Sequence, residues 1–183
     1  MLLDIEVEMS MRMLLLSLQR TTLCGGRSFN TTCDRWIEVK GKYNACDILL
    51  FADESMRTAE DVSLLAPFVN GVNIKLEKCG GFRAALLAVQ EAQKHELMVW
   101  FGCMVGSNIN STSTAHIFSL ACCSDLDGAL LVTQDSQLFL GGFEYVLPQG
   151  NILLPSTVDK SCYGIGVVPK SSFSNVISNC MEL

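Results

Sequence analysis

The sequence contains no cluster of basic residues. Its 13 Lys and Arg are scattered among 19 Asp and Glu, for a net charge of -6, so the electrostatic footprint of a nucleic-acid partner is absent. It also lacks an apolar run long enough for a bilayer. Met11 to Leu18 falls well short of the roughly 20 residues that a spanning helix needs. Asp4, Glu6 and Glu8 precede that run where a signal peptide carries positive charge, and transit peptides avoid acids. Nine cysteines include no C-x-x-C pair, and Cys122 and Cys123 are adjacent. This pattern fits neither a zinc site nor a secreted disulfide framework. It points to free thiols in a reducing compartment, the cytoplasm. Charge of either sign is scarce as well, at 17% of 183 residues against 49% hydrophobic, where a soluble chain averages about 25% charged. Interior strands short of neighbours give such a composition.

From Trp36 onward the chain is regular. Apolar runs begin near Cys46, Val72, Met98 and Leu126, about 26 to 28 residues apart. They predict strands at 47–52, 72–76, 98–104 and 126–133. Helical patterns lie between them. Thr58-Ala-Glu-Asp61 is a capping-box signature ahead of Val62, Leu65, Phe68 and Val69. Gly80-Gly81 opens a second helix with Phe82, Leu86, Val89 and Ala92 at helical spacing, and Ser111 to Leu120 reads as a third. Short, wholly apolar strands alternating with helices predict a parallel sheet covered on both faces. Ahead of this region, Met11 to Leu18 reads as a surface helix and Gln19 to Asp34 as a polar loop.

Candidate chemistry sits where the apolar runs stop. Ile48-Leu-Leu-Phe51 ends at Asp53, and Gly71-Val-Asn-Ile74 ends at Lys75. Parallel strand ends open onto one rim, so an acid and a lysine at consecutive ends form the start of a site. Glu54 alternates away from Asp53 and reads as a rim anchor, and Lys78 as a solvated loop charge. Asp125 and Asp127 would share a face of the fourth strand, a pairing suited to a cation with several donors. His95 reads as a helix C-terminal residue and His116 as a packed one. Gly164-Ile-Gly166 lacks the third glycine and the strand-turn-helix setting of a nucleotide loop.

The full wording is more specific than any one of these features. Ala52-Asp-Glu-Ser55, a helix, Asn73-Ile-Lys-Leu-Glu-Lys-Cys-Gly-Gly81, Cys103-Met-Val-Gly-Ser107 and Asp125-Leu-Asp127 together resemble the C-terminal barrel domain of the enolase superfamily. The branch is the muconate-lactonising and mandelate racemase type, and within it the dipeptide epimerases of L-Ala-D/L-Glu epimerase kind. The resemblance implies an α/β fold forming the C-terminal half of a (β/α)-barrel, an incomplete TIM-like barrel, since a complete one takes roughly 250 residues. It divides the chain into an unmatched leader at 1–45, a partial barrel domain at 46–170 and a tail at 171–183.

It also implies a racemase or epimerase that abstracts a proton next to a carboxylate. Asp53 matches a magnesium ligand and Lys75 the catalytic lysine, its pKa lowered by the cation and burial. Ser107 matches a position beside the substrate, and Asp125 and Asp127 match residues that bind the α-ammonium group of a small dipeptide. Asn108-Ile-Asn110 departs from the Met-Ile-Glu common after that serine, and Gly128 replaces a frequent alanine or threonine. The family's Lys-x-Lys and its two other metal acids have no counterpart, so the expectation is a chain inactive by itself. The alternative is a non-catalytic half-barrel or partner-dependent binding module. Either way, sheet edges without neighbours imply self-association, with no nucleic acid and no membrane as partners.

Overall fold

The computed structural model describes residues 12–16, 29–132, 139–146, 151–153 and 164–170. These residues form two compact units. One holds 12–16, 29–102 and 119–125; the other holds 103–118 and the described residues from 126 onward.

The first unit is a five-stranded sheet in the order β1-β2-β3-β4-β5, and every neighbouring pair is parallel. The strands are β1 (Arg12–Leu16), β2 (Ile48–Ala52), β3 (Gly71–Lys75), β4 (Met98–Gly102) and β5 (Cys123–Ser124). Parallel neighbours need a crossover. Three of the four crossovers carry helices of this unit: α1 (Phe29–Asn44), α2 (Ala59–Leu65), and α3 (Leu76–Cys79) with α4 (Phe82–Lys94).

Burial on both sheet faces explains the apolar runs. On one face, Ala52 stands beside Val72, and Ile74 beside Phe101. Val62 and Leu65 of α2 and Ala85, Ala88, Val89 and Ala92 of α4 complete this core. On the other face Phe51 and Trp100 meet edge to face, with centroids 5.6 Å apart. Phe51 and the Met98 carbonyl leave Gly71 no room for a side chain, because a Cβ there would stand 2.3 Å from the Phe51 ring. The α2 capping box forms as expected, with Asp61 accepting from the N–H groups of Arg57 and Thr58 at 3.0 and 2.9 Å. Gly80 and Gly81 both have positive φ, 96° and 99°, and open α4 as expected.

Four sequence expectations are corrected. The polar loop expected at 19–34 is helical from Phe29 onward, where α1 begins. Arg12–Leu16 is a strand beside β2, not a surface helix; a short apolar run does not by its periodicity tell the two apart. The fourth predicted strand at 126–133 is misplaced, and residue 133 lies outside the described residues. Pairing with β4 occurs earlier, at Cys123 and Ser124, while Asp127–Ala129 turn as a short 3-10 segment. The third predicted helix starts sooner, as α5 (Asn108–Ala115).

In the second unit α5 buries Ser111, Thr112, Thr114 and Ala115. The Phe143 N–H donates to Thr112 Oγ1 at 3.2 Å, and Asn108 Nδ2 donates to the Gly141 carbonyl at 2.6 Å. Two antiparallel pairs follow: β6 (Phe139–Gly141) with β9 (Val167–Pro169), and β7 (Glu144–Val146) with β8 (Asn151–Leu153). His116, expected to be packed, is exposed, and its Nε2 lies 3.1 Å from the Ile165 carbonyl.

Candidate active site at the strand ends

Asp53 directly follows β2 and Lys75 ends β3. Extending the β2–β3 register of Phe51 with Gly71 puts Asp53 beside Asn73, on the same sheet face as Lys75. The side chains meet there. Lys75 Nζ donates to Asp53 Oδ2 at 3.1 Å and lies 3.1 Å from Oδ1. Glu54 stands at the margin, half exposed, with Oε1 3.6 Å from Lys75 Nζ.

Lys78 corrects the sequence reading, because it is not a solvated loop charge. Its side chain is 9% exposed, and its Nζ donates both to Asp53 Oδ1 at 2.6 Å and to the Asp53 carbonyl at 2.7 Å. The turn α3, closed by Gly80, carries Lys78 back over the end of β2. Spacing alone gave no sign of this, since that reach depends on the turn's closure.

Two further residues escaped the sequence reading. A Cβ at Gly102 would lie 2.7 Å from Asn73 Oδ1 and 3.1 Å from Lys75 Cε. Glycine there lets both side chains lie against β4. Asn73 is buried, and its Oδ1 has no hydrogen-bond partner among the described residues.

Electrostatics here differ from the expectation of a lowered lysine. Burial disfavours the Lys75 ammonium, but the hydrogen bond and charge of Asp53, with the charge of Glu54, outweigh it, and the pKa lies above the usual lysine value. Lys75 is therefore a held cation and a proton donor in this arrangement. Among the described residues no three His, Cys, Asp or Glu side chains are grouped so as to hold a metal ion. One carboxylate already carrying two ammonium groups does not fit magnesium, which prefers a near-octahedral oxygen set.

The remaining candidates divide between the units. Asp125 follows β5 in the first unit, exposed, its N–H donating to the Phe101 carbonyl at 2.8 Å. Ser107 and Asp127 belong to the second unit. Ser107 is the N-cap residue of α5, and Asp127 opens the 3-10 turn. The two aspartates thus do not share one strand face as expected. Gly128 is fixed by close approach: a Cβ would stand 2.2 Å from the Met104 carbonyl, so the alanine or threonine common there would not fit without a backbone shift.

No protein-family model matches the chain. Individual proteins do. An enolase superfamily member of Dictyostelium discoideum is 38% identical over 143 residues, covering 75% of this chain and 31% of that protein. The chain belongs to the enolase superfamily. An L-Ala-D/L-amino acid epimerase of Pedosphaera parvula is 44% identical over 89 residues, 49% of this chain and 26% of the relative. The crystal structure of a dipeptide epimerase from Enterococcus faecalis, complexed with Mg and the dipeptide L-Leu-L-Tyr, aligns with a TM-score of 0.60 at 26% identity. It covers 75% of this chain and 37% of that one. The parallel sheet is thus part of a superfamily barrel of the mandelate racemase and muconate-lactonising type. The chain spans only a quarter to a third of the length of these curated relatives. Among the described residues no helix is long and apolar enough to cross a membrane.

Proposed function

We propose that the Asp53–Lys75 rim is one side of a proton-transfer site of the racemase and epimerase kind. Its substrate is a small dipeptide or related carboxylate, and the reaction moves the hydrogen α to the carboxylate. The observation that carries this is the ion pair at the C-terminal ends of adjacent parallel strands, in a chain whose relatives are named epimerases and racemases. Lys75 is the proton-transferring group. Held charged, it delivers a proton; to accept one it must first give one up, which requires Asp53 to be drawn away from it. Lys78 fixes Asp53 through carboxylate and carbonyl together. Asp125, which follows β5 in the same unit, would take its α-ammonium group.

Magnesium is the expected cofactor, because the Enterococcus faecalis relative is complexed with Mg. Asp53 alone does not hold it, so two further acids would have to come from outside the described residues. The test is a chimera in which residues 46–132 replace the matching segment of a dipeptide epimerase. Retained epimerisation, abolished by Lys75→Ala, is the expected result; a folded but inactive chimera would overturn the reading.

A second reading, a non-catalytic half-barrel, is favoured by the two lysines that occupy the Asp53 carboxylate. Such a chain would associate through β1 and β5, the end strands of the sheet. Sedimentation of the full chain as a monomer at micromolar concentration would count against it.

A further inference from the structure

Cys122 and Cys123 lie at the start of β5, away from the Asp53 rim and unused by it. Their sulfurs are 3.6 Å apart. Cys122 is exposed and Cys123 partly so. The Cys122 N–H donates to the Val99 carbonyl at 2.9 Å, and its thiol lies 3.1 Å from the same oxygen. Cys123 takes its place in the sheet opposite Trp100. One thiol is therefore open to solvent with a second in contact beside it, the arrangement of an attacking and a resolving cysteine.

We propose that Cys122 and Cys123 form a peroxide-reactive pair that closes reversibly into a disulfide between neighbouring residues. In the first step the Cys122 thiolate attacks one oxygen of hydrogen peroxide. The O–O bond breaks, and the departing hydroxide takes up a proton and leaves as water, giving a sulfenic acid. In the second step the Cys123 sulfur attacks the Cys122 sulfur, the S–O bond breaks, and the hydroxide leaves with the Cys123 proton as a second water. Two electrons have passed from the thiols to the peroxide.

Electrostatics assign the order of attack. The Cys123 S–H beside it brings the Cys122 thiol down to about 7 against the opposing effect of burial, while the same contact pushes Cys123 up. The gain in rate is smaller than the gain in thiolate. A lowered thiol pKa raises the thiolate fraction at neutral pH, and the lower basicity of that thiolate gives back part of the gain.

The product has its own constraint. Neighbouring Cα atoms lie about 3.8 Å apart across a trans peptide, while ordinary disulfides span about 4.4 Å or more. The ring is therefore strained and is opened again by a dithiol reductant. Closing it turns Cys123 out of a strand that pairs with β4 at only two positions, just ahead of Asp125.

The experiment treats the full chain with sub-stoichiometric hydrogen peroxide at neutral pH, alkylates the remaining thiols and maps them by mass. Expected is a fragment lighter by two hydrogens, unalkylated at both Cys122 and Cys123. It should form before exposed Cys46 is oxidised, and a dithiol should restore it. In Cys123→Ser, a sulfenic acid trappable by dimedone should accumulate at Cys122. The proposal is overturned if both thiols remain alkylatable after Cys46 has reacted, if Cys122 proceeds to sulfinic acid with Cys123 untouched, or if the product is a disulfide between two chains. The wild-type map decides the matter even if a variant does not fold.

Discussion

Asp53 is shared between two lysines, and the sharing limits what its carboxylate is free to do. Lys75 approaches it from the next strand, Lys78 from the turn beyond, and both amines are largely buried. Lys78 also binds the Asp53 carbonyl, so it fixes the backbone as well as the charge. Removing it leaves the carboxylate with Lys75 and the carbonyl without that donor. Lys78→Met is expected to lower stability by about 1–2 kcal/mol, less than the loss on orphaning a buried charge; urea unfolding at neutral pH measures it. The raised Lys75 pKa fixes the pH sense of the remaining pair. On the alkaline side its contribution persists through neutral pH and is lost as pH rises through the lysine range and beyond. At this scale Asp53 and Lys75 were legible, because an apolar strand that stops at a charge announces its end. Lys78 and Gly102 were not. One depends on how a turn closes, the other on the absence of a side chain beside Asn73.

The short α3 turn and the two glycines behind it hold Lys78 over the site. Gly80 adopts a left-handed conformation (φ 96°, ψ 27°), which ends α3, and Gly81 a more extreme one (φ 99°, ψ -169°) ahead of α4. Neither would meet another atom within 4 Å if given a Cβ, so the cost of substitution is backbone strain alone. Left-handed turns tolerate side chains at moderate cost, while the Gly81 region is essentially closed to them. Gly81→Ala is therefore expected to destabilise by about 2–3 kcal/mol and Gly80→Ala by about 1 kcal/mol. Equal shifts in the urea midpoint, at unchanged slope, would contradict that account. Element by element, the sequence disclosed β2, β3 and β4, since buried parallel strands are apolar on both faces. β5 was obscured because its two residues, Cys123 and Ser124, are less apolar than the run after them, and Leu130 and Leu131 of that run are exposed. Hydropathy marks where apolar residues are; the ladder decides which of them pair.

For the molecule as a whole, motif wording told more than composition did. Periodic apolar runs indicated a parallel α/β sheet, but only the strings around Asp53, Lys75, Ser107 and Asp125 led to one superfamily, and the comparisons agree. What the strings could not convey is how much of a site these residues complete. Moving a hydrogen α to a carboxylate needs stabilisation of the resulting carbanion, and epimerisation needs a proton acceptor on one face and a donor on the other. The described residues offer one strand-end lysine held as a cation and one carboxylate occupied by two amines, with no metal-binding cluster. Proximity does not compensate for groups that are absent. The chain by itself is accordingly expected to leave the α-carbon of an Ala-Glu dipeptide unexchanged. The measurement is deuterium incorporation from heavy water with magnesium present, comparing the chain with its Lys75→Ala variant. Equal, background-level incorporation in both is the expected outcome. Incorporation well above the variant would mean that acids and an acceptor reach Lys75 from elsewhere, through a second copy or from residues outside the described ones, and that the carboxylate can be released from its lysines.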